Sequence, residues 1–410
     1  MNIDKYFEDL EQELLPIYQK YEKICELNSE KVLKAFIENK VGEEHFSSST
    51  GYGYGDLGRD VIESIYKDIF KSEDALVRNQ FISGTHALQT TLFGILRPND
   101  LLLSINGDPY DTLQEVIGIR ENPSSLKAFG VLYNKIDLKD GEFDKEEICK
   151  FLKNNKVKML MIQRSKGYST RKSFTIEKVQ DIIGFIRQID KEVIIMVDNC
   201  YCEFVSDKEP IEIGADICVG SLIKNLGGTI ANNGAYVVGR KTLVNLVAER
   251  LNVIGQGKEV GPSLGANKYI LQGLANAPRV VFDSIKSVIL TSRIMQDFNV
   301  PTEPLYNEEH ADIVLSIIFN DKNLLKKYVN LIQANSLIDS KAYIEETEMP
   351  GYEDKIVMAS GSFVSGSSIE LSCDGPLREP YIAYQQGSFS YYYNKIALKN
   401  IVRYFKESEK

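Results

Sequence analysis

The sequence predicts an α/β protein: a large domain on a mostly parallel sheet, followed by a smaller C-terminal α/β domain. Three observations carry this. From about residue 75, short apolar runs alternate with helical stretches, the pattern of strands buried on both faces with helices between them. A long helical stretch after Pro262 interrupts the alternation, and strand-like runs resume beyond it. The chain has 410 residues, more than one hydrophobic core ordinarily organises.

Taken in order, residues 1–40 read as helices, because Tyr6, Phe7, Leu10, Leu14, Leu15, Tyr18 and Tyr21 recur at helical spacing. The stretch Ser29 to Lys40 repeats the pattern as a second helix. Composition then shifts to serine and glycine over Ser47–Gly55, a loop, and Arg59 to Phe70 is an amphipathic helix. Strands are predicted at Ala75–Val77, Leu101–Ile105, Val157–Ile162, Val193–Val197, Ile217–Val219 and Ala235–Val238. Helices such as Thr85–Leu96 and Ile176–Ile189 lie between them. Asn267 to Gln296 reads as a connecting helix. Beyond it come strand-like runs at Ile313–Phe319 and Ile369–Ser372 and a final helix near Lys395–Phe405. The expected organisation is a helical segment over 1–45, a large domain over 46–285 and a small domain over 286–410.

Composition excludes several function classes. Hydrophobic residues make up 43% and charged residues 26%, as in ordinary globular proteins. A formal net charge of −10 argues against nucleic acid or an anionic membrane as the main partner. No apolar run approaches the roughly 18–20 residues of a membrane span. Met1–Lys5 lacks a basic-then-apolar signal pattern, so a cytoplasmic location follows by elimination. Six cysteines without paired CxxC units and three histidines leave little material for a metal site, and none is expected. Cys200 and Cys202 read as free buried thiols, and Glu308-Glu309-His310 as a solvated helix start.

Gly53-Tyr-Gly55-Asp-Leu-Gly58 matches the dinucleotide pattern GxGxxG. That fingerprint needs a buried strand before it, and Glu43, Glu44, His45, Phe46 and four hydroxyl residues do not form one. A glycine loop carrying Tyr and Arg is the expectation.

Three pieces with chemistry fall in chain order on the predicted sheet. Ser83-Gly84-Thr85 sits at a helix start, where backbone N–H groups and the helix dipole attract an anion, although the same triplet also serves as a plain N-cap. Asp198 ends a predicted strand at the usual ligand crevice. There a carboxylate can pair with a protonated ring nitrogen or cap its own turn. Lys224 lies in Ser221-Leu-Ile-Lys224-Asn-Leu-Gly-Gly, and its apolar flanks predict an enclosed amine whose pKa burial lowers. Ser221, three residues earlier, can offer a hydroxyl to the same anion.

The order of phosphate loop, strand-end aspartate and Ser-x-x-Lys about 26 residues later resembles fold-type I enzymes that use pyridoxal 5′-phosphate (PLP). A closer resemblance rests on several short motifs. They are Gly53–Asp60, Ser83–Ala87, Gly107-Asp-Pro-Tyr110-Asp-Thr112, Ile162-Gln-Arg164-Ser-Lys-Gly-Tyr168 and Ser372-Cys-Asp-Gly-Pro-Leu-Arg378. Together they are similar to the methionine γ-lyase-related family, also called the aluminium-resistance or cystathionine β-lyase-like family, over nearly all the chain after residue 45. The resemblance implies a seven-stranded, mostly parallel sheet and PLP as cofactor. It implies that Ser83, Gly84, Thr85 and Ser221 hold the phosphate, that Tyr110 stacks on the ring and serves catalysis, that Asp198 binds the ring nitrogen, and that Lys224 holds the cofactor as a Schiff base. It also implies a homo-oligomer, dimer or tetramer, in which Tyr54 (or Tyr52) and Arg59 of a neighbouring subunit reach the phosphate. One departure concerns the substrate. Related enzymes carry an Arg-Leu-Ser run whose arginine grips the substrate carboxylate; here the run is Glu370-Leu371-Ser372. Arg378 and Arg164 are the candidate replacements, since a guanidinium binds a carboxylate through two parallel hydrogen bonds.

The expected function is a carbon–sulfur lyase acting on a sulfur-containing amino acid by α,β- or α,γ-elimination. The alternatives are a PLP transaminase, racemase or aldol-type lyase, or a non-catalytic protein of this fold linked to metal resistance. Gly255-Gln256-Gly257-Lys258 reads as a surface loop or a gate.

Overall fold

Why the ligand crevice lies where it does follows from the strand order. The computed structural model describes residues 2–408. Seven strands form one sheet: β1 (Asp74–Arg78), β2 (Leu101–Ser104), β3 (Leu132–Lys135), β4 (Met159–Gln163), β5 (Ile194–Asp198), β6 (Ile217–Ser221) and β7 (Ala235–Gly239). Their spatial order is β1-β7-β6-β5-β4-β2-β3. Strands β2 to β6 pair in parallel, and β7 runs antiparallel to both neighbours. In register, Gln163 stands beside Asp198, and Asp198 beside Val219. The carboxyl ends of three parallel strands therefore open into one crevice.

Every residue of β4, β5, β6 and β7 is buried, which explains their near-continuous apolar sequences. Strand β3 is the one the apolar pattern misses. It is a sheet edge with one neighbour, and Leu132-Tyr-Asn-Lys is mostly exposed, so nothing requires it to be hydrophobic.

The helices cover both faces. The N-terminal region forms a single helix, α1 (Ile3–Glu38), rather than two; the repeated pattern at Ser29–Lys40 is the same apolar stripe continued. Helix α2 (Leu57–Phe70) is capped by Asp56, whose Oδ1 accepts from Arg59 N at 2.9 Å. Next come α3 (Gly84–Ile95), α4 (Asp111–Ile117), α5 (Lys145–Asn154), α6 (Ile176–Ile189) and α7 (Lys241–Leu251). Helices α3, α4 and α7 pack on one face of the sheet, and α5 and α6 on the other. Helix α8 (Asn267–Asp297) is buried along most of its 31 residues and packs against α1.

Beyond α8, a second sheet comprises β8 (Thr302–Glu303), β9 (Val314–Ile318), β10 (Ile356–Ser360), β11 (Ser372–Pro376) and β12 (Ile382–Gln386), all antiparallel, in the order β10-β11-β12-β9-β8. Helices α9 (Lys322–Ala334) and α10 (Tyr391–Ser408) accompany it. The strand expected at Ile369–Ser372 begins only at Ser372. Glu370 is occupied otherwise: its carboxylate accepts from Phe363 N at 3.0 Å and Val364 N at 3.4 Å, fixing the loop before β11. No helix among the described residues is long and apolar enough to cross a membrane.

Candidate active site

A cavity of about 340 Å³ opens at the carboxyl ends of β4, β5 and β6. Its walls bring together residues far apart in sequence: Ser83, Gly84, Thr85, Tyr110, Asp198, Ser221 and Lys224 from the large sheet, and Ser372 and Asp374 from β11. Seven of the expected site residues thus share one chamber.

Each is positioned by a local reason. Ser83 caps α3, its hydroxyl accepting from His86 N at 3.1 Å. The N–H groups of Gly84 and Thr85 precede the first intrahelical carbonyl and have no helical acceptor of their own. A Cβ on Gly84 would sit 3.2 Å from Ser221 Cβ and 3.4 Å from Cys200 Sγ. Glycine at residue 84 lets the helix start approach Ser221 without crowding; a Cβ there would sit tightly against it. Tyr110 donates its backbone N–H to Gln163 Oε1 at 2.9 Å, and its phenol lies 2.9 Å from Thr85 Oγ1. Burial pushes that phenol's pKa well up, so it stays protonated.

Asp198 is buried, and its Oδ1 accepts from Cys200 N at 3.1 Å. Burial raises its pKa above the ordinary carboxylate value, while the Cys200 N–H and the Lys224 charge oppose the rise. The Lys224 amine lies 4.2 Å from the ring centroid of Tyr201, and no hydrogen-bond acceptor for it occurs among the described residues. Its expected pKa shift is reversed. Burial disfavours the ammonium, but its acidic surroundings, with the Asp198 carboxylate among them, act the other way and raise the pKa.

The profile of the family described as methionine gamma-lyase matches residues 3–406. The chain belongs to the methionine γ-lyase family. Among solved structures, a candidate cystathionine β-lyase involved in aluminium resistance from Listeria innocua is 45% identical, with a TM-score of 0.95 over 98% of this chain and 99% of that one. A carbon–sulfur lyase involved in aluminium resistance from Clostridium novyi NT is 44% identical, with a TM-score of 0.92 over 97% of this chain and 96% of that one. The PLP-dependent protein YhfS from Escherichia coli shares the fold alone, at 15% identity and a TM-score of 0.64 over 94% and 96% of the two chains.

PLP is the cofactor of the methionine γ-lyase family. The residues present fit it. The open N-terminus of α3 and Ser221 make an anion cradle, with residue 84 beside Ser221. A carboxylate and a lysine amine without a hydrogen-bond partner stand in the same chamber.

Four expected site residues lie elsewhere. Arg164 is buried behind the wall, its guanidinium bound to Asn199 Oδ1 at 2.6 Å and Phe174 O at 3.4 Å, and it does not line the cavity. Two of its donor nitrogens are used within the scaffold. Arg378 lines an outer chamber that shares Tyr110, Asp111, Gln163 and Tyr168 with the inner one, and it is tied to Asp354 Oδ2 at 2.9 Å and Tyr168 O at 3.0 Å. Arg59 is buried and bonds Gly53 O at 2.7 Å and Gly261 O at 3.1 Å. It fastens the glycine loop to its own chain. Tyr54 is 62% exposed and stacks on Tyr52.

The other motifs resolve simply. No strand precedes Gly53 among the described residues; a 3-10 turn over Glu43–Phe46 does. Lys258 is tied to Asp74 and Glu63, so the 255–258 loop is anchored. Glu308 pairs with Lys172, Glu309 with Lys20, and His310 is buried edge-on to Tyr21, so the three side chains do not converge. All six cysteines are free.

Sequence reasoning missed Tyr201, Asp374 and the serines at 367, 368 and 372. Tyr201 carried a weak signal, since it lies three residues past the strand-end aspartate; it takes a left-handed φ of 72°. Asp374 and Ser372 stood in a recognised motif but had no assignable partner until β11 was placed beside β12.

Proposed function

We propose that this protein is a PLP-dependent carbon–sulfur lyase that cleaves a sulfur-containing amino acid, releasing a thiol, ammonia and a 2-oxo acid with consumption of one water. The observation that carries the reading is the meeting of the α3 N-terminus, Asp198 and the unbonded Lys224 amine in one cavity of a methionine γ-lyase family chain.

The phosphate is held by the N–H groups of Gly84 and Thr85, with the Ser83 and Ser221 hydroxyls beside them. Asp198 holds the ring nitrogen, and Tyr110 flanks the ring. Bound there, the cofactor supplies an aldehyde carbon for an amine and a ring that accepts an electron pair from the substrate α-carbon. Lys224 Nζ would hold the cofactor and is placed to take a proton from the substrate α-carbon as general base. The Tyr110 phenol, kept protonated by burial, gives its proton to the departing sulfur. Thr85 Oγ1 fixes that phenol's direction.

The assembly is proposed as a homo-oligomer, dimer or tetramer. Tyr52, Tyr54, Leu57, Ile82, Ile254 and Leu264 are large, exposed apolar side chains. Hydrogen bonds from Gly261 N to Tyr52 O and from Leu264 N to Ser49 O draw several of them together. A second copy would cover that surface and bring its Tyr54 towards the phosphate cradle.

The test is to incubate purified protein and PLP with a panel of amino acids, scoring thiol, ammonia and 2-oxo acid. Equimolar release of all three from a thioether or thiol amino acid is expected. Amino transfer to a keto acid without thiol release would replace the lyase with a transaminase. Cofactor binding without turnover of any amino acid would favour a non-catalytic role.

A further inference from the structure

The inner chamber contains one cationic side chain, Lys224, and that amine is committed to the cofactor. No arginine lines it. Yet an amino-acid substrate brings an α-carboxylate that must be held. The wall contributed by β11 and the loop before it offers a different kind of site.

The hydroxyls of Ser367, Ser368 and Ser372 are buried, line the cavity and have no hydrogen-bond partner. Ser367 and Ser368 lean towards Glu370 and Tyr201 without closing a sound hydrogen bond, and Ser372 has no such neighbour. Buried hydroxyls are seldom left unpaired, because each forfeits its bonds to water. Three on one wall present a surface of hydroxyl donors to the cavity. They are also held in place: Glu370 pins the loop carrying Ser367 and Ser368 through the N–H groups of Phe363 and Val364. The residue at the expected arginine position thus builds the wall in place of binding the substrate itself.

Asp374 completes the wall. Two residues after Ser372 on β11, it points to the same face. Its Oδ2 accepts from Gln386 Nε2 at 2.7 Å and Tyr168 OH at 3.2 Å, and Oδ1 has no partner among the described residues. Burial pushes its pKa up to about 7, so near and below neutral pH much of it is a carboxylic acid. The groups facing it are Tyr168, Tyr201, Tyr352, Lys224 and, on its own strand, Cys373. Burial keeps the phenols and the thiol protonated, so none adds a negative charge against a bound carboxylate.

We infer that Ser367, Ser368 and Ser372 bind the α-carboxylate of the substrate as a hydroxyl cradle, with Asp374 on the same wall. This rests on the reading that the cavity receives an amino acid on PLP.

The experiment uses the PLP-loaded protein and follows the cofactor's visible absorbance on titration with L-alanine and, separately, L-alaninamide at pH 6.5. The Ser372→Ala and Ser367→Ala/Ser368→Ala proteins should bind alanine at least tenfold more weakly than wild type. The amide should change less than threefold, and the resting spectrum should not change. Ser372→Thr, which keeps the hydroxyl, should restore alanine binding. Alanine binding depends on its neutral amine and so strengthens as the pH rises from 6.5 to 8.5; the rise should be smaller in wild type, where Asp374 ionises against the bound carboxylate, than in Asp374→Asn. If wild type shows no spectral response to any amino acid, the proposed function fails. If wild type responds and the serine variants bind alanine as tightly as it does, the cradle is wrong. Weakening confined to Arg378→Ala would likewise overturn it, in favour of an arginine anchor in the outer chamber.

Discussion

Two lysines in this molecule are enclosed by protein, and they differ in what surrounds the amine. Lys166 is buried, and its Nζ donates to Glu303 O at 2.8 Å and Ser316 Oγ at 3.2 Å; burial lowers its pKa. Lys224 faces a cavity, has no acceptor among the described residues and lies over the Tyr201 ring, and its acidic neighbours raise its pKa. Enclosure alone therefore does not mark a reactive amine. Lys166 uses its donors to join the loop after β4 to the second sheet, whereas Lys224 keeps its donors unspent beside an anion cradle and a carboxylate. The difference separates a structural lysine from one positioned to bond a cofactor.

The sharpest way to break this comparison is to exchange the two roles by mutation. Lys224→Ala should abolish the cofactor's visible band and lower turnover by about 10²–10⁴-fold, the usual loss when a positioned base is removed. Retention of the band, read by absorbance after dialysis against PLP, would reject the assignment. Asp198→Asn should retain the band but lower turnover by roughly 10–100-fold, since a charge-assisted hydrogen bond of about 1.5–3 kcal/mol is replaced by a neutral one. An unchanged rate in that variant would remove Asp198 from the ring nitrogen. Lys166→Met should do the opposite of Lys224→Ala. Loss of its hydrogen bonds should destabilise the protein by about 1–3 kcal/mol in denaturant unfolding, with the cofactor band intact.

A further effect concerns pH. Only the neutral amine attacks the cofactor aldehyde, and the pKa of Lys224 is raised. Below that pKa the neutral fraction grows about tenfold per pH unit. The rate of PLP capture by cofactor-free protein should therefore climb between pH 7 and 9. A flat profile over that range would show that the amine is already neutral.

How much of this was legible in the sequence depends on the kind of residue. Strands β4, β5, β6 and β7 declared themselves because burial on both faces leaves them continuously apolar. The edge strand β3 did not, because Tyr133, Asn134 and Lys135 answer to no core. Asp198 and Lys224 were readable from their places after strands. The pKa direction of Lys224 was not, since it depends on Tyr201, Cys200 and Tyr110, which only the folded chain assembles around it. The arginines show the same limit. Arg164 and Arg378 are equally plausible carboxylate ligands on paper, but the fold buries Arg164 against Asn199 and sets Arg378, paired with Asp354, in the outer chamber. The absence of an arginine at position 370 was visible at once. The purpose of the glutamate there emerged only from its backbone partners, Phe363 and Val364.

The most direct test of the central claim is to load the protein with PLP, reduce it with borohydride, digest it and locate the modified residue by mass spectrometry. A single phosphopyridoxyl group on Lys224, with Lys166 unmodified, is the predicted result. Modification at Lys166 or another lysine, with Lys224 intact, would contradict the assignment of the cofactor-bearing amine.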